Sequence, residues 1–314
     1  MNLKILPKFQ WYRRIKALFT YQSVVSNRLD ANTAEIFMLR QNVDRLLNEI
    51  QLMRNDFYQW SQRPFELDIE KKSCEYQRLL RLHQLLHLRD VEGGTLVRIG
   101  RENDGGYCML DEFCPGMIAY SFGISNDVSW DKDMAERGIK CYMYDHTIDN
   151  LPEEHEFFHW TKEGICGAKE VEHCRTLETF IKSNGHGERN DLILKMDVEG
   201  AEWDAVAATD SSILELFSQI VFELHDVYSS KHHNEICSFL SKLNETHQPV
   251  YVHGNNWADY ERVGDLVMPW ALEVLYIRKS DHKFRESAHF YPLEQDMPNK
   301  TDRRDIRLGV WNSY

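Results

Sequence analysis

Short apolar segments alternate with segments of helical periodicity between residues 117 and 278. Such an alternation predicts an open α/β sheet of mostly parallel strands with helices on its faces. The segment between the last two strands, "NNWADYERVGDLVMPW", has no helical pattern and is read as a loop, so these strands are expected to form an antiparallel hairpin. The seven strands are expected at residues 117–124, 140–145, 156–160, 191–197, 219–225, 249–254 and 271–278.

Ligands of open α/β sheets bind outside the carboxyl ends of the strands, so the residues that end each strand are the candidates for a site. Gly123 ends the first strand, and Asp145 ends the second. A glycine lets the backbone approach a ligand closely, and a carboxylate can accept hydrogen bonds from both hydroxyls of a ribose. Both are therefore candidate cofactor-binding residues. An ordinary turn at Gly123 and a helix cap at Asp145 are the alternatives.

Four carboxylates follow the apolar fourth strand in "LKMDVEGAEWD". Asp197 arrives at the strand tip, beside the expected cofactor crevice, and Glu199 follows it. Glu202 and Asp204 fall in the first turn of the next helix, where the helix dipole favours anions. Asp197 and Glu199 therefore remain as candidate catalytic residues, and Asp197 is also a candidate cofactor ligand.

The fifth and sixth strands also end in polar residues. Glu223 and His225 lie on one face of the fifth strand, and His225 is the best-placed general base, although a strand-end histidine can also be a structural hydrogen bonder. The sixth strand ends in His253, Asn255 and Asn256. Together with Glu223, these side chains suit the binding of sugar hydroxyls, and a Gly-Asn-Asn turn is the alternative.

The carboxylates Asp197, Glu199 and Glu223 have a second interpretation, as ligands of a Mg²⁺ ion. A bound divalent cation would lower the pKa of an acceptor hydroxyl and replace the general base. Carboxylates that are simply hydrogen bonded at strand tips are the alternative to a metal site.

The N-terminal third divides by pattern into a basic amphipathic segment at residues 1–20, a coiled-coil helix at 21–62 and a connecting helix within 63–92, ahead of the main domain at 93–314. The first segment carries five cations and no acid. Its composition fits a helix lying on an anionic membrane surface and equally a helix docked on the protein's own acidic body.

A seven-residue repeat runs from residue 25 to residue 60 and predicts a parallel coiled coil. An amphipathic helix packed on its own domain is the alternative, and Leu47 at an e position leaves a trimer open beside a dimer. One core position holds Leu29, Ile36, Val43, Ile50 and Phe57, and the other holds Val25, Asn32, Leu39, Leu46, Met53 and Trp60.

Charge and composition exclude several classes of protein. The net charge of −13, with the cations concentrated at the N-terminus, would repel a phosphate backbone, so nucleic acid is not expected as a partner. The sequence has neither an apolar run long enough to cross a membrane nor a secretory signal. The seven cysteines form no CxxC pair, which favours reduced thiols in a cytoplasmic protein.

The main domain resembles the FkbM-type S-adenosylmethionine-dependent methyltransferases over roughly residues 95–280. A parallel sheet that ends in an antiparallel pair is also the arrangement of class I methyltransferases. The resemblance rests on the motifs "RIGRENDGGYCML", "YSFGISNDVSWDKDMA", "TLETFIKSNG", "LILKMDVEGAEWDAV", "QIVFELH", "YVHGNN" and "PWALEVLYI".

The resemblance implies methyl transfer from S-adenosylmethionine to oxygen, commonly to a hydroxyl of a sugar or a secondary metabolite. In this sequence Gly123 and Asp145 look like the cofactor loop and the ribose ligand, with Asp197 at the fourth strand tip. We therefore expect a cytoplasmic O-methyltransferase that modifies a saccharide in cell-surface polysaccharide or glycan biosynthesis. A scaffold that keeps the fold without activity is one alternative. A nicotinamide-dependent oxidoreductase is another, although the sequence lacks the GxGxxG loop of that class.

Overall fold

The computed structural model describes residues 71–314 and seven helical positions before them: 39, 40, 43, 45–47 and 50. The chain divides into two units, Met1–Glu66 and Leu67–Tyr314. The predicted basic segment 1–20 and most of the predicted coiled coil 21–62 lie outside the described residues. Within the described part of the chain, no helix is both long enough and apolar enough to span a bilayer.

The first described helix of the second unit lies within the predicted connecting segment 63–92. Ser73 caps its first turn by accepting a hydrogen bond from the backbone N–H of Tyr76 at 3.1 Å, which satisfies one of the free amides at a helix start. Across the described residues the helices are α1 (Cys74–Leu85), α2 (Ser129–Glu136), α3 (Leu177–Ser183), α4 (Glu202–Ala208), α5 (Ser211–Leu214) and α6 (His233–Thr246).

A seven-stranded sheet forms the centre of this unit, in the order β6-β7-β5-β4-β1-β2-β3. The first five strands are parallel, and β7 is antiparallel to both of its neighbours, as the sequence predicts. The strands are β1 (Ile118–Phe122), β2 (Lys140–Tyr144), β3 (Phe158–Thr161), β4 (Leu192–Met196), β5 (Phe217–Leu224), β6 (His247–Val263) and β7 (Leu266–Arg278).

The strands β1 and β4 are adjacent at the centre of the sheet and fully buried. Their apolar residues pack under helices on both faces, which explains why they read as continuous apolar runs rather than as an alternation. The strand order reverses between β1 and β4, so the crevice expected to receive a ligand opens at their carboxyl ends.

The segment 255–270, predicted as a loop, is instead strand for most of its length. The strand β6 continues to Val263, the chain turns at Gly264, and β7 returns from Leu266. The pairing is interrupted once, because Asn255 pairs with Ala271 while Tyr260 pairs with Pro269. Residues 256–259 thus form a wide bulge opposite Trp270. We call this outer part of the hairpin, residues 255–270, the arm. Because β6 is parallel to β4 and β5, the arm extends beyond the edge of the sheet where the carboxyl ends of β4 and β5 lie.

Four short ribbons surround the main sheet. The strand Tyr107–Leu110 is buried, and it contacts β5 and β7 beside the expected site. The ribbons pair Arg89–Val91 with Phe284–Glu286, Leu96–Ile99 with Tyr107–Leu110, Gly164–Ile165 with Cys174–Arg175, and Phe290–Tyr291 with Gly309–Val310.

Candidate functional site

Gly123 occupies a position that accepts no other residue. Its φ is +80°, and a Cβ built there would lie 1.6 Å from the carbonyl oxygen of Asp197. The carbonyl of Gly123 accepts a hydrogen bond from Nζ of Lys195 at 2.8 Å. The glycine is therefore required by the close approach of the β1 and β4 ends, which is more than an ordinary turn demands.

Asp145 holds the loop that follows β1. Its Oδ2 accepts hydrogen bonds from the backbone amides of Ile124 and Ser125, both at 2.9 Å. Its Oδ1 accepts from the amide and hydroxyl of Thr147 at 2.8 and 2.6 Å. Burial alone would raise the pKa of Asp145, but these donors hold it below the ordinary value. The four contacts occupy the four lone-pair positions of the carboxylate, so Asp145 fixes the shape of the loop at the expected cofactor crevice.

Asp197, Glu199 and Glu223 converge on one imidazole, that of His225. The nitrogen Nε2 of His225 lies 3.8 Å from Oδ1 of Asp197, 3.6 Å from Oε1 of Glu223 and 3.5 Å from Oε2 of Glu199. Glu223 and His225 are buried, whereas the side chain of Glu199 is 81% exposed. The strand-end residues predicted from the sequence therefore do form one cluster, with Glu199 at its rim.

Glu202 belongs to this cluster, which differs from the prediction that it serves only the helix dipole. It is fully buried, and its Oε1 accepts a hydrogen bond from the backbone N–H of His225 at 2.9 Å and lies 3.3 Å from Nδ1 of the same residue. Its Oε2 accepts from the amide of Gly200 at 2.9 Å. Glu202 thereby orients the imidazole so that Nε2 faces the other carboxylates.

Tyr107 and Asn255 complete the cluster from outside β4 and β5. The hydroxyl of Tyr107 lies within hydrogen-bonding distance of Oδ2 of Asp197, at 2.9 Å, and of Oε2 of Glu223, at 3.2 Å. The amide of Asn255 donates to Oε1 of Glu223 at 2.6 Å. Tyr107 was not predicted as a site residue, although its strand lies within a motif that carries the family resemblance.

Burial and neighbouring charges shift the pKa values of this cluster. Burial and the carboxylates of Asp197 and Glu273 raise the pKa of Glu223 well above its ordinary value. Burial would lower the pKa of His225, but the contact with Glu202 and the surrounding acids outweigh it and raise the pKa to about 9. At neutral pH the imidazole is therefore protonated, and it can act as a base only after losing that proton.

His253 is buried and held by two carboxylates, which separates it from the cluster around His225. Its Nδ1 lies 3.3 Å from Oε2 of Glu273, and its Nε2 lies 3.1 Å from both oxygens of Asp305. Both ring nitrogens are thus occupied by the protein's own acids. The predicted binding of sugar hydroxyls by His253 has no support in this arrangement.

Asn256 is likewise occupied by the protein's own backbone. Its Nδ2 donates to the carbonyls of Lys300 at 3.0 Å and Arg304 at 3.2 Å, and its Oδ1 accepts from the amide of Lys300 at 2.6 Å. The side chain therefore anchors the C-terminal segment to β6. The structure places it as an anchor rather than at the predicted substrate position.

Trp270 lies at the mouth of the cluster and was not predicted. Its ring is partly exposed, and its centroid is 5.5 Å from that of His225 at an interplanar angle of 70°. The bulge at residues 256–259 lies opposite Trp270 and widens the arm at this level. A flat apolar surface thus lies beside the polar cluster, and both face the carboxyl edge of the sheet.

Three side chains of the cluster can hold a metal ion. Asp197, Glu223 and His225 each offer a ligand atom, and these atoms all lie within 4.8 Å of one another. The metal ligands predicted from the sequence were Asp197, Glu199 and Glu223. The structure groups His225, in place of Glu199, with the other two.

Comparisons with known proteins agree with the sequence motifs. No curated protein matches the chain significantly. One solved structure, "Putative hemolysin from Streptococcus thermophilus", shares 9% sequence identity and a TM-score of 0.32, covering 55% of this chain and 71% of that one. Residues 117–246, which include β1 to β5, His225 and the four carboxylates around it, match the family model described as the Methyltransferase FkbM domain, and this confirms the resemblance predicted from the sequence.

Proposed function

We propose that the protein is an S-adenosylmethionine-dependent O-methyltransferase that acts on a hydroxyl of a saccharide. The observation that carries the proposal is the FkbM match over residues 117–246, which spans the carboxyl edge where Gly123, Asp145 and Asp197 meet. The closing hairpin of the sheet is the arrangement that separates class I methyltransferases from dinucleotide-binding sheets.

The residues at this edge fit S-adenosylmethionine. Gly123 lets the ends of β1 and β4 approach each other closely, and Asp145 holds the adjoining loop in a fixed shape. Rotation of the Thr147 hydroxyl would free one lone pair of Asp145 to accept a ribose hydroxyl. When bound, the cofactor supplies an electrophilic methyl group on a sulfonium.

The chain's own residues then position the acceptor and remove its proton. Asp197 and His225 lie at the tips of adjacent strands, so a hydroxyl placed between them could give its proton to the carboxylate of Asp197, or to His225 once the imidazole has lost its own proton. Transfer of a methyl group is an in-line displacement, in which alignment accounts for much of the rate. Glu202 fixes the imidazole, and the Tyr107 hydroxyl fixes Asp197, so the site is organised before the acceptor arrives.

A saccharide acceptor is supported by the combination of Trp270 and the carboxylates. Sugars present apolar C–H faces and polar hydroxyl edges, so they bind where an aromatic ring adjoins hydrogen-bond acceptors. The partly exposed Trp270 beside His225 provides such a surface. We further propose that the protein acts in the biosynthesis of cell-surface polysaccharide or glycan, on the cytoplasmic side of the membrane, a role that a saccharide acceptor would suit.

Calorimetric titration of S-adenosylhomocysteine tests the cofactor assignment. We expect binding to the wild-type protein and clear weakening in Asp145→Ala. The control is Asp149→Ala, four residues after Asp145, which removes an exposed acid that pairs with Lys162. Absence of binding to the folded wild-type protein would refute the proposed function and favour a scaffold on the same fold.

Membrane contact through residues 1–20 is a separate part of the proposal, based on the five cations and no acid in that segment. We expect the full chain to co-sediment with vesicles that contain phosphatidylserine. A variant with Lys4, Lys8, Arg13, Arg14 and Lys16 changed to glutamine should stay in the supernatant. Equal sedimentation of the wild-type protein and the variant would favour the alternative, in which residues 1–20 dock on the protein's own acidic surface.

A further inference from the structure

We propose that Asp197, Glu223 and His225 form a binding site for a divalent transition-metal ion, with Mn²⁺ the best match. The ligand atoms lie within 4.8 Å of one another. Two ligands about 2.1 Å from one ion are separated by roughly 3 to 4 Å, depending on the coordination angle. The separations of 3.8 Å to Asp197 and 3.6 Å to Glu223 from Nε2 of His225 fall within that range.

The nitrogen Nε2 of His225 is the observation that points to a ligand. The side chain of His225 is only 6% exposed, and its other ring nitrogen, Nδ1, faces Glu202 at 3.3 Å. The oxygens nearest to Nε2 are 3.5 to 3.8 Å away, well beyond the usual N–H···O distance of about 2.9 Å. The Nε2 nitrogen of a buried histidine thus faces carboxylates that are too far away for a good hydrogen bond.

Each of the three ligands is held by a second residue. Glu202 orients His225, Tyr107 contacts Asp197, and Asn255 donates to Glu223. Metal-binding histidines usually give their other nitrogen to a carboxylate or carbonyl, which is the role Glu202 fills here. The side chains are therefore fixed in direction without the ion.

The charge of the cluster also requires compensation. Four carboxylates, those of Asp197, Glu199, Glu202 and Glu223, lie within 4 Å of the single imidazole of His225. The nearby cation Lys195 instead donates to the carbonyl of Gly123. Bound to Nε2 in place of its proton, a divalent ion would bring one more positive charge to these carboxylates than the imidazolium supplies.

The donor set selects the kind of ion. Mg²⁺ and Ca²⁺ favour sites made only of oxygen, whereas an imidazole suits a first-row transition metal, and Mn²⁺ is the member of that series that carboxylates also suit. Three protein ligands leave further positions for water or for an acceptor hydroxyl, whose pKa the ion would lower. That role rests on the proposed function, but the binding of the ion does not.

The test is titration of MnCl₂ into the full-length protein after removal of metals with EDTA, followed by calorimetry. We expect Mn²⁺ to bind more tightly than MgCl₂, and Glu223→Gln and His225→Gln to weaken Mn²⁺ by at least about tenfold. Glu199→Gln, which changes an exposed acid at the rim, is the matched control and should bind Mn²⁺ within about twofold of wild type.

A measurement on the wild-type protein tests the metal site even if the variants fold poorly. Electron spin-echo spectra of bound Mn²⁺ should show coupling to one imidazole nitrogen, which His225→Gln abolishes. Absence of Mn²⁺ binding, absence of nitrogen coupling, or equal binding by all three variants would overturn the proposal. Titration of S-adenosylhomocysteine into the same samples separates the two proposals, because loss of cofactor binding with Mn²⁺ binding intact contradicts only the proposed function.

Discussion

Glu223 and Glu273 are register partners on the adjacent strands β5 and β7, and both are buried. Like charges directly opposite each other destabilise a sheet, so each carboxylate needs its own compensation. Glu273 lies against the imidazole of His253 and accepts a hydrogen bond from Asn299 at 2.7 Å. Among the residues that the structure describes, the side chain of Glu223 is contacted by the neutral donors Tyr107 and Asn255 and by the more distant His225. The two acids therefore have different roles, one in stability and the other in the site.

The contact between His253 and Glu273 predicts a pH-dependent contribution to stability. Burial would lower the pKa of His253, but Glu273 and Asp305 outweigh it and raise the pKa to about 10. The imidazolium is thus favoured in the folded state. Its stabilising contribution is complete below the unfolded pKa of about 6.5 and is lost as the pH rises towards 10.

We therefore expect His253→Gln to lower the free energy of unfolding by about 3 kcal/mol at pH 6, because it leaves a buried carboxylate unpaired. The difference from wild type should shrink at pH 9.5. Urea unfolding at both pH values measures it, with His289→Gln at an exposed position as the control. A difference that stays the same at the two pH values would contradict the assigned ion pair.

Gly123 gives a second prediction, because any side chain there collides with the backbone of Asp197. We expect Gly123→Ala to destabilise the protein by several kcal/mol, about the upper end of single substitutions, and to abolish binding of S-adenosylhomocysteine. Gly185→Ala is the matched control, since Gly185 also has a positive φ, of +74°, but no atom within 4 Å of the added Cβ. Thermal unfolding of the two variants separates the effect of the collision from that of backbone strain. Equal losses of stability in the two variants would show that the close approach of Gly123 to Asp197 is unimportant.

The predicted repeat at residues 25–60 remains a prediction that mutation can test in the full chain. Leu39 and Leu46 occupy one core position of the repeat, whereas Asn48 lies on the outer face. We expect Leu39→Lys with Leu46→Lys to convert an oligomer into a monomer, because buried lysines oppose helix association. Asn48→Lys should leave the mass unchanged. Light scattering measures the mass and distinguishes a dimer from a trimer, and a wild-type monomer would refute the coiled coil.

The strand tips of the site could be predicted because they depend on local periodicity. Parallel strands end at one edge of a sheet, so locating the ends of β1, β4 and β5 was enough to place Gly123, Asp197 and His225 together. No structural contact between distant residues had to be known for that step. The same reasoning gave the antiparallel closing pair, since no helix separates β6 from β7.

The remaining partners depend on contacts that a single sequence does not reveal. Tyr107 reaches Asp197 from 90 positions away, and Asp305 reaches His253 from 52 positions away. Both come from segments outside the main sheet, whose paths no periodicity fixes. Glu202 was assigned to the helix dipole because its position in the first turn is a sufficient local reason, and only the three-dimensional structure shows its contact with His225.

Trp270 gives the prediction that most directly concerns the acceptor. If the saccharide packs on this ring beside His225, Trp270→Ala should raise KM for the acceptor by about tenfold or more, since loss of an aromatic contact costs roughly 1 to 2 kcal/mol. Binding of S-adenosylhomocysteine should remain within about twofold, because the candidate cofactor residues directly follow β1, β2 and β4 and do not lie on the arm. Tyr260→Ala, at a position that is 50% exposed beyond the bulge, is the control. Transfer of a radiolabelled methyl group to a panel of saccharides provides the measurement. A variant that loses cofactor binding together with transfer would show that Trp270 supports the fold of the edge, whereas an unchanged KM would move the acceptor site away from the arm.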